Sequence, residues 1–288
     1  MQLRKSERSK AKIKMALQGP SGAGKTLSAL LIAQGLTNGN LSKVAIIDTE
    51  NGSADLYSHL GNYNVLTLES PHSPERYMEA IDVCLNAGME VIILDSISHA
   101  WDYLIDYHSS LPGNSFTNWA KITPRQKAFV DKILQCNAHI ISTMRVKQDY
   151  VLSEKNGKMV PEKVGLKAIQ RDEISYEFTI VFDIDSKHFA VSSKDRTQLF
   201  EGKPPFTINT STGKKILDWC NSTLSKEELK QMVIQCNTLK ELTELYNTNL
   251  DLAKSIEHDF ISKRDLLQNL INNATKSSNG NGTYTHKQ

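Results

Sequence analysis

The chain has 288 residues, 39% of them apolar, with 34 Lys and Arg against 32 Asp and Glu for a formal net charge of +2. That length supports one good-sized core plus a minor domain. The near-even charge excludes polyanion binding through net charge, so any nucleic-acid surface has to be local. Cys84, Cys136, Cys220 and Cys236 are far apart and never form C-x-x-C, which argues against a zinc site or a disulfide framework and for reduced core residues.

At the N-terminus Arg4, Lys5, Arg8, Lys10, Lys12 and Lys14 face a single acid, Glu7. No apolar segment follows that would make a signal peptide. The expectation is a soluble, cytoplasmic protein with a basic arm over 1–11. From Ile13 onward short apolar runs alternate with helical patterns, the signature of an α/β fold with a mostly parallel central sheet and helices on both faces. Ile13 to Gln18 reads as a strand, Leu27 to Leu36 as a helix, and Val44 to Ile47 as a buried strand ending in Asp48-Thr49-Glu50. Ser73 with Pro74 starts a helix in which Tyr77, Ile81 and Cys84 share a face, and Gly88 stops it. The strand Val91 to Leu94 follows. Thr123-Pro124 repeats the start signal after an irregular stretch from Gly113, and Ala138 to Thr143 reads as another core strand.

Between Gln148 and Lys167 the chain is polar, with Asn156-Gly157 and Pro161 as breakers, and reads as a loop or hairpin. Phe178 to Ile184 and His188 to Ser192 are expected to be strands joined through Asp185-Ser186-Lys187. The core domain then spans 12–220. Ser225 with Glu228, Thr238 with Glu241 and Ser262 with Asp265 fit capping boxes and predict about three helices over 222–275. The Ser-, Asn- and Gly-rich tail over 276–288 is too polar to repay ordering.

The chemistry begins at Gly19-Pro20-Ser21-Gly22-Ala23-Gly24-Lys25-Thr26, which matches G-x-x-x-x-G-K-[ST] between a predicted strand and a predicted helix. In such a loop backbone N–H groups cradle phosphates, Lys25 reaches the β- and γ-phosphates, and Thr26 ligates Mg²⁺. The segment therefore predicts binding of ATP with Mg²⁺. Val91-Ile92-Ile93-Leu94-Asp95 has the form of a Walker B strand, which puts Asp95 in the metal's shell and Ser96 beside it. Glu50 stands past the strand that follows the loop helix. There it is either the general base for the attacking water or else a solvated acid or a helix cap. No His or Cys spacing implies a further metal, and a lone His99 reads as a helix cap or a nucleotide sensor.

The order of Gly19 to Thr26, Asp48-Thr49-Glu50, Leu94-Asp95-Ser96 and Thr143-Met144-Arg145-Val146-Lys147 resembles the ATPase core of RecA-type recombinases. With Ser98-His99-Ala100-Trp101, Gln170-Arg171, Tyr176-Glu177-Phe178 and Lys194-Asp195-Arg196-Thr197, the stretch from Lys10 to Trp219 is similar to phage-encoded, core-only RecA-like ATPases classed with single-strand DNA annealing proteins. The resemblance makes Glu50 the catalytic base. It makes Lys194 and Arg196 a basic pair that reaches the ATP of a neighbouring subunit, and it implies self-association into a ring or filament. Thr143 stands where the larger recombinases carry a glutamine switch. The partners implied are single-stranded DNA, in phage recombination or replication, and a single-strand binding protein. Arg145, Lys147, Lys155, Lys158, Lys163, Lys167 and Arg171 flank the polar loop as candidate phosphate contacts, sequence-independent and salt-sensitive. Phe116 and Trp119 are candidates for base stacking or for plain packing. Two other readings stay open: an ATP-gated adaptor that uses the helical appendage to bind another phage protein, and a small-molecule kinase.

Overall fold

The computed structural model describes residues 11–155, 158–171, 174–221 and 226–278, for 148–167, 251 and 273–278 the backbone alone. The chain divides into two units, at residues 1–221 and 222–288. The cations Arg4 to Lys10, the cap residue Ser225 and the tail from 279 lie outside the described residues.

The first unit is built on the strands β1 (Lys14–Gly19), β2 (Val44–Asp48), β3 (Asn64–Thr67), β4 (Val91–Asp95), β5 (His139–Lys155), β6 (Lys158–Ala168), β7 (Ile180–Ile184) and β8 (Ala190–Asp195). Their order across the sheet is β3-β2-β4-β5-β1-β7-β8, parallel from β3 through β7, while β8 turns back antiparallel on β7. The strands between the edges carry buried apolar runs, Met15 to Leu17, Val44 to Ile47 and Val91 to Leu94 among them, because both sheet faces are covered. Period-two alternation sorts their side chains. Val91 and Ile93 join one core cluster with Met15 and Leu17; Ile92 and Leu94 join the other with Ala16.

The first cluster packs under α1 (Lys25–Leu36) and α6 (Thr210–Asn221), the second under α2 (Pro74–Asn86) and α4 (Ser115–Gln135). Helix α3 (Ser98–Ser110) and the short α5 (Ile174–Glu177) complete the unit. The helices α1 and α6 cross with backbones nearly touching. A Cβ on Gly213 would lie 2.0 Å from the Ile32 carbonyl oxygen, and one on Gly35 2.2 Å from that of Thr210. Lys14 is no part of a solvated basic arm: it is buried in β1, its ammonium donating to the carbonyls of Cys136 and Ala138 at 2.7 and 2.5 Å.

One boundary differs from the sequence reading. Helix α4 starts at Ser115 under an Asn114 cap and runs through Pro124, so neither an irregular segment nor a helix start stands there. Its buried positions, Asn118, Ile122, Gln126, Phe129 and Ile133, keep one stripe across the proline. Burying that stripe outweighs the single ladder bond a proline removes. The polar stretch after Lys147 takes the hairpin form, β5–β6, paired from Val146 opposite Ala168 to Lys155 opposite Lys158 with a register shift between Asp149 and Tyr150. The strand β3 and the helices α3 and α6 carry no sequence expectation of their own.

The second unit holds α7 (Lys226–Gln235), α8 (Leu239–Thr248), α9 (Leu250–Lys254) and α10 (Glu257–Ser278) around Leu229, Val233, Leu242, Ala253, Ile256, Phe260 and Leu267. The Thr238 hydroxyl accepts from the N–H of Glu241 at 3.2 Å, and the Glu241 carboxylate accepts from that of Asn237 at 2.9 Å, a reciprocal cap. No helix starts at Ser262. It lies within α10, which buries Phe260 and Leu267 on either side of it and carries on through Lys276 to Ser278. The described helices of this unit are therefore four, not three. All four cysteines are buried and free. Among the described residues no helix is long and apolar enough to cross a membrane.

Candidate nucleotide site

Parallel pairing brings several strand ends to one edge: Asp48 lies opposite Asp95, and Gly19 opposite Arg145. This carboxyl edge is where α/β sheets bind ligands. The segment from Gly19 to Thr26 forms the turn from β1 into α1, with Gly22 and Gly24 at φ +78° and +83°, a backbone that only glycine adopts without strain. Gly24 caps α1 and offers no side-chain acceptor, so the first N–H groups of the helix stay available to an anion. The Lys25 ammonium donates to the carbonyls of Gly19 and Pro20 at 3.0 and 2.8 Å. Burial pushes its pKa down, and the nearby Asp95 and Glu50 carboxylates oppose that shift.

Asp95 ends β4 and is almost wholly buried. Its Oδ2 accepts from the Thr26 hydroxyl at 2.6 Å and its Oδ1 from the Thr143 hydroxyl at 2.5 Å. Burial raises its pKa; the two hydroxyls oppose the rise and the charges of Glu50 and Asp48 add to it. A buried carboxyl disfavoured as an anion, with a hydroxyl on one oxygen, is a donor set that suits a hard divalent cation such as Mg²⁺. Thr143 thus reaches across to hold the Walker B acid.

Glu50 follows β2. Its backbone N–H is taken by Asp48 Oδ1 at 2.6 Å, and Asp48 Oδ2 accepts from Ala54 N at 3.1 Å, which folds the turn. Its Oε1 accepts from the Ser96 hydroxyl at 3.1 Å and from Arg145 Nε at 3.0 Å. Burial alone would raise the Glu50 pKa, but the hydrogen bond and charge of Arg145, with the Ser96 hydroxyl, hold it below the usual glutamate value. Between the two acids, Thr49 is a hub: its N–H donates to the Asp95 carbonyl at 2.8 Å, and its hydroxyl oxygen accepts from Ser96 N at 2.9 Å. Buried Tyr77 donates to the Ser96 carbonyl at 2.6 Å. Glu50 and Asp95 are therefore fixed to one another through main chain.

A family profile described as an AAA domain, AAA_24, matches residues 11–225. The chain belongs to this family. The match takes in the loop from Gly19 to Thr26 and ends close to where the first structural unit ends. No curated protein matches the sequence.

The remaining sequence candidates of this AAA-domain chain are scattered. Lys194 and Arg196 point the same way, as their i, i+2 spacing predicts; both donate to the carbonyl of the exposed Tyr176, Arg196 at 3.1 Å, and not to the P-loop. Arg145 turns into the site. Lys147 is exposed and Arg171 half-buried, while the side chains of Lys155, Lys158, Lys163 and Lys167 lie outside the described residues. Gln170 is a buried bracket, donating to the Ile97 carbonyl and accepting from Gln126, both at 3.1 Å. Trp119 stacks on His108 and Trp101, with ring centroids 4.3 and 6.1 Å away, so it packs; Phe116 is exposed.

Sequence reasoning passed over His188. At φ +67° in the β7–β8 turn, its Nδ1 lies 3.1 Å from the Ala23 carbonyl and therefore donates to it. The parallel pairing of β1 with β7 brings that turn against the P-loop, a neighbour relation that no local pattern announces.

Proposed function

We propose that this protein binds ATP with Mg²⁺, hydrolyses it slowly, and acts on single-stranded DNA in phage recombination or replication, by annealing or recombinase-type chemistry. The observation that supports the ATPase reading best is the Thr26–Asp95 contact beside Glu50, a metal-holding pair and a carboxylate joined through Thr49 and Ser96. Thr26 and Asp95 would hold the ion, whose charge when bound offsets the charge that develops on the transferred phosphoryl group. The loop N–H groups and Lys25 bind and orient the phosphates, Lys25 exchanging its carbonyl partners for phosphate oxygens. Glu50 orients the attacking water and takes its proton as the water oxygen bonds to the γ-phosphorus and the bond to the bridging oxygen breaks. Lys194 and Arg196, held together on the Tyr176 carbonyl, would reach across an ATP-bridging subunit interface in a ring or filament.

The test is steady-state ATP turnover of wild type, Glu50→Gln and the double variant Lys194→Ala with Arg196→Ala, each with and without a single-stranded oligonucleotide at low and moderate salt. Glu50→Gln is expected to lower kcat by about 10²- to 10⁴-fold while nucleotide still binds. The double variant is expected to lose the dependence of turnover on protein concentration. A Glu50→Gln enzyme with wild-type kcat would remove Glu50 from catalysis. Wild-type turnover and assembly indifferent to DNA at both salts would remove the DNA role.

One observation favours the adaptor reading instead. The second unit presents an open cleft of about 230 Å³ lined by Leu239, Leu242, Tyr246, Phe260 and Ile261 with Glu257 and Arg264. Under that reading ATP binding persists, and DNA changes neither assembly nor turnover. A kinase reading has a carboxylate against it where water activation needs one, at Glu50.

A further inference from the structure

By charge Arg145 belongs with the cations that flank the β5–β6 hairpin, yet its side chain is committed to the nucleotide site. Its Nε donates to Glu50 Oε1 at 3.0 Å and its Nη2 to Nε2 of His99. A guanidinium only donates, so His99 Nε2 is the acceptor and the imidazole is neutral with its proton on Nδ1. That proton goes to the Thr49 hydroxyl oxygen at 2.8 Å, and the ring stacks on His72 with centroids 5.0 Å apart. His99 is therefore a fixed stop behind the guanidinium, and Thr49 is the residue that joins Glu50 to Asp95.

The backbone of Arg145 belongs to the hairpin's root. Its N–H donates to the Ser98 hydroxyl at 2.9 Å, and its carbonyl accepts from Ile169 N at 2.7 Å, one residue past the end of β6. The next residue, Val146, opens the hairpin ladder opposite Ala168. A hairpin that shifts when it takes a ligand moves both partners of the Arg145 carbonyl bond, and with them the guanidinium. Meanwhile Glu50 Oε1 already accepts from Arg145 and from Ser96. A carboxylate oxygen so engaged competes poorly for a water proton. The ion pair is about one-third exposed on each side, at 36% and 30%, so it sits where solvent weakens it enough to open.

We propose that Arg145 is a positioning residue that holds Glu50 back from water activation, with His99 setting the guanidinium, and that a ligand on the β5–β6 hairpin releases it. The inference rests on Glu50 being the base, and its DNA arm on single strands being the hairpin's ligand.

The experiment measures kcat and KM for ATP with the full-length protein, DNA-free and with an oligothymidylate, for wild type, Arg145→Ala, Arg145→Lys, His99→Gln and Glu50→Gln. Without DNA, Arg145→Ala is expected to raise kcat about three- to tenfold with KM within about twofold of wild type, as a freed carboxylate becomes a better base. Arg145→Lys, which keeps the charge and loses the fork, falls between the two. His99→Gln raises kcat less than Arg145→Ala does. Oligothymidylate is expected to raise the wild-type rate toward that of Arg145→Ala and to leave that variant's rate unchanged. A DNA-free kcat at or below wild type in Arg145→Ala, with nucleotide binding intact, overturns the proposal, because the guanidinium is then needed or irrelevant for turnover. Should Arg145→Ala fail to fold, Arg145→Lys and His99→Gln decide by the same sign. A DNA-insensitive wild type beside an accelerated Arg145→Ala keeps the restraint and overturns single strands as the hairpin's ligand. If Glu50→Gln turns over like wild type, it is the base assignment that has failed.

Discussion

At the scale of single residues, burial sets protonation in the site and away from it, and at the amino ends of the strands one such group links the fold to pH. His139 begins β5, and its Nδ1 accepts from the Ile13 N–H at 3.1 Å, so the ring must stay neutral to keep that bond. Burial, with Lys12 and Lys14 nearby, pushes its pKa down from 6.5 to about 3. The folded value is depressed, so the stability this group contributes is complete above about pH 6.5. It is lost as pH falls from there toward 3, because the unfolded chain takes up a proton that the native one refuses. Thermal unfolding from pH 7.5 to 5 is expected to show a midpoint that falls below about pH 6.5. His139→Gln, which still offers Ile13 an acceptor, should flatten that fall; an unchanged slope would place the acid sensitivity elsewhere. Asp95 poses the opposite case of a buried acid raised in pKa beside two hydroxyls, and its place between Thr26 and Thr143 is what the sequence motif alone leaves unstated.

Among elements, the P-loop helix α1 is positioned by a contact in which backbone meets backbone at two glycines. Gly35 and Gly213 let α1 and α6 approach until an added methyl would collide with backbone carbonyls at 2.2 and 2.0 Å. Gly213→Ala must push the helices apart and is expected to destabilise the protein by about 1–3 kcal/mol. Since α1 starts at Lys25, ATP affinity should fall with it, and urea unfolding alongside nucleotide titration would separate the two effects. A neutral Gly213→Ala would mean the helices have room to slide. This contact also shows where sequence reading stops. The elements with strong local signals were legible: the P-loop between strand and helix, the Ser73-Pro74 helix start, the Thr238–Glu241 cap and the hairpin β5–β6. Pro124 and Ser262 were misread because a local start signal was outweighed by burial on both sides of it, from Asn118 to Ile133 in α4 and at Phe260 and Leu267 in α10, which is a tertiary quantity. The site was legible where a motif compresses it, at Lys25, Thr26 and Asp95. It was not legible at His188, or in the turning of Arg145 toward Glu50, because each depends on which strands become neighbours.

For the whole molecule, the division into units has a consequence for where nucleotide binding resides. The clusters on the two sheet faces lie within residues 13–220, while the C-terminal helices have a cluster of their own from Leu229 to Leu267. The AAA_24 match, 11–225, covers the sheet unit and stops short of the helical cluster. Every side chain of the P-loop, the Walker B strand and the Glu50 network belongs to the sheet unit. A chain ending at Asn221 is therefore expected to unfold cooperatively and to keep its ATP affinity. Its unfolding free energy should rise by about 2.7 kcal/mol when nucleotide is raised to 100 times its Kd, the increment that mass action gives a single site. Calorimetry of that truncated chain with and without Mg·ATP checks this directly. A truncated chain that folds without a nucleotide-dependent shift would mean that the helical unit completes the site. One that keeps the shift and its turnover but loses the response to DNA would place the DNA-dependent step in the helices, and would move the proposed ligand away from the β5–β6 hairpin.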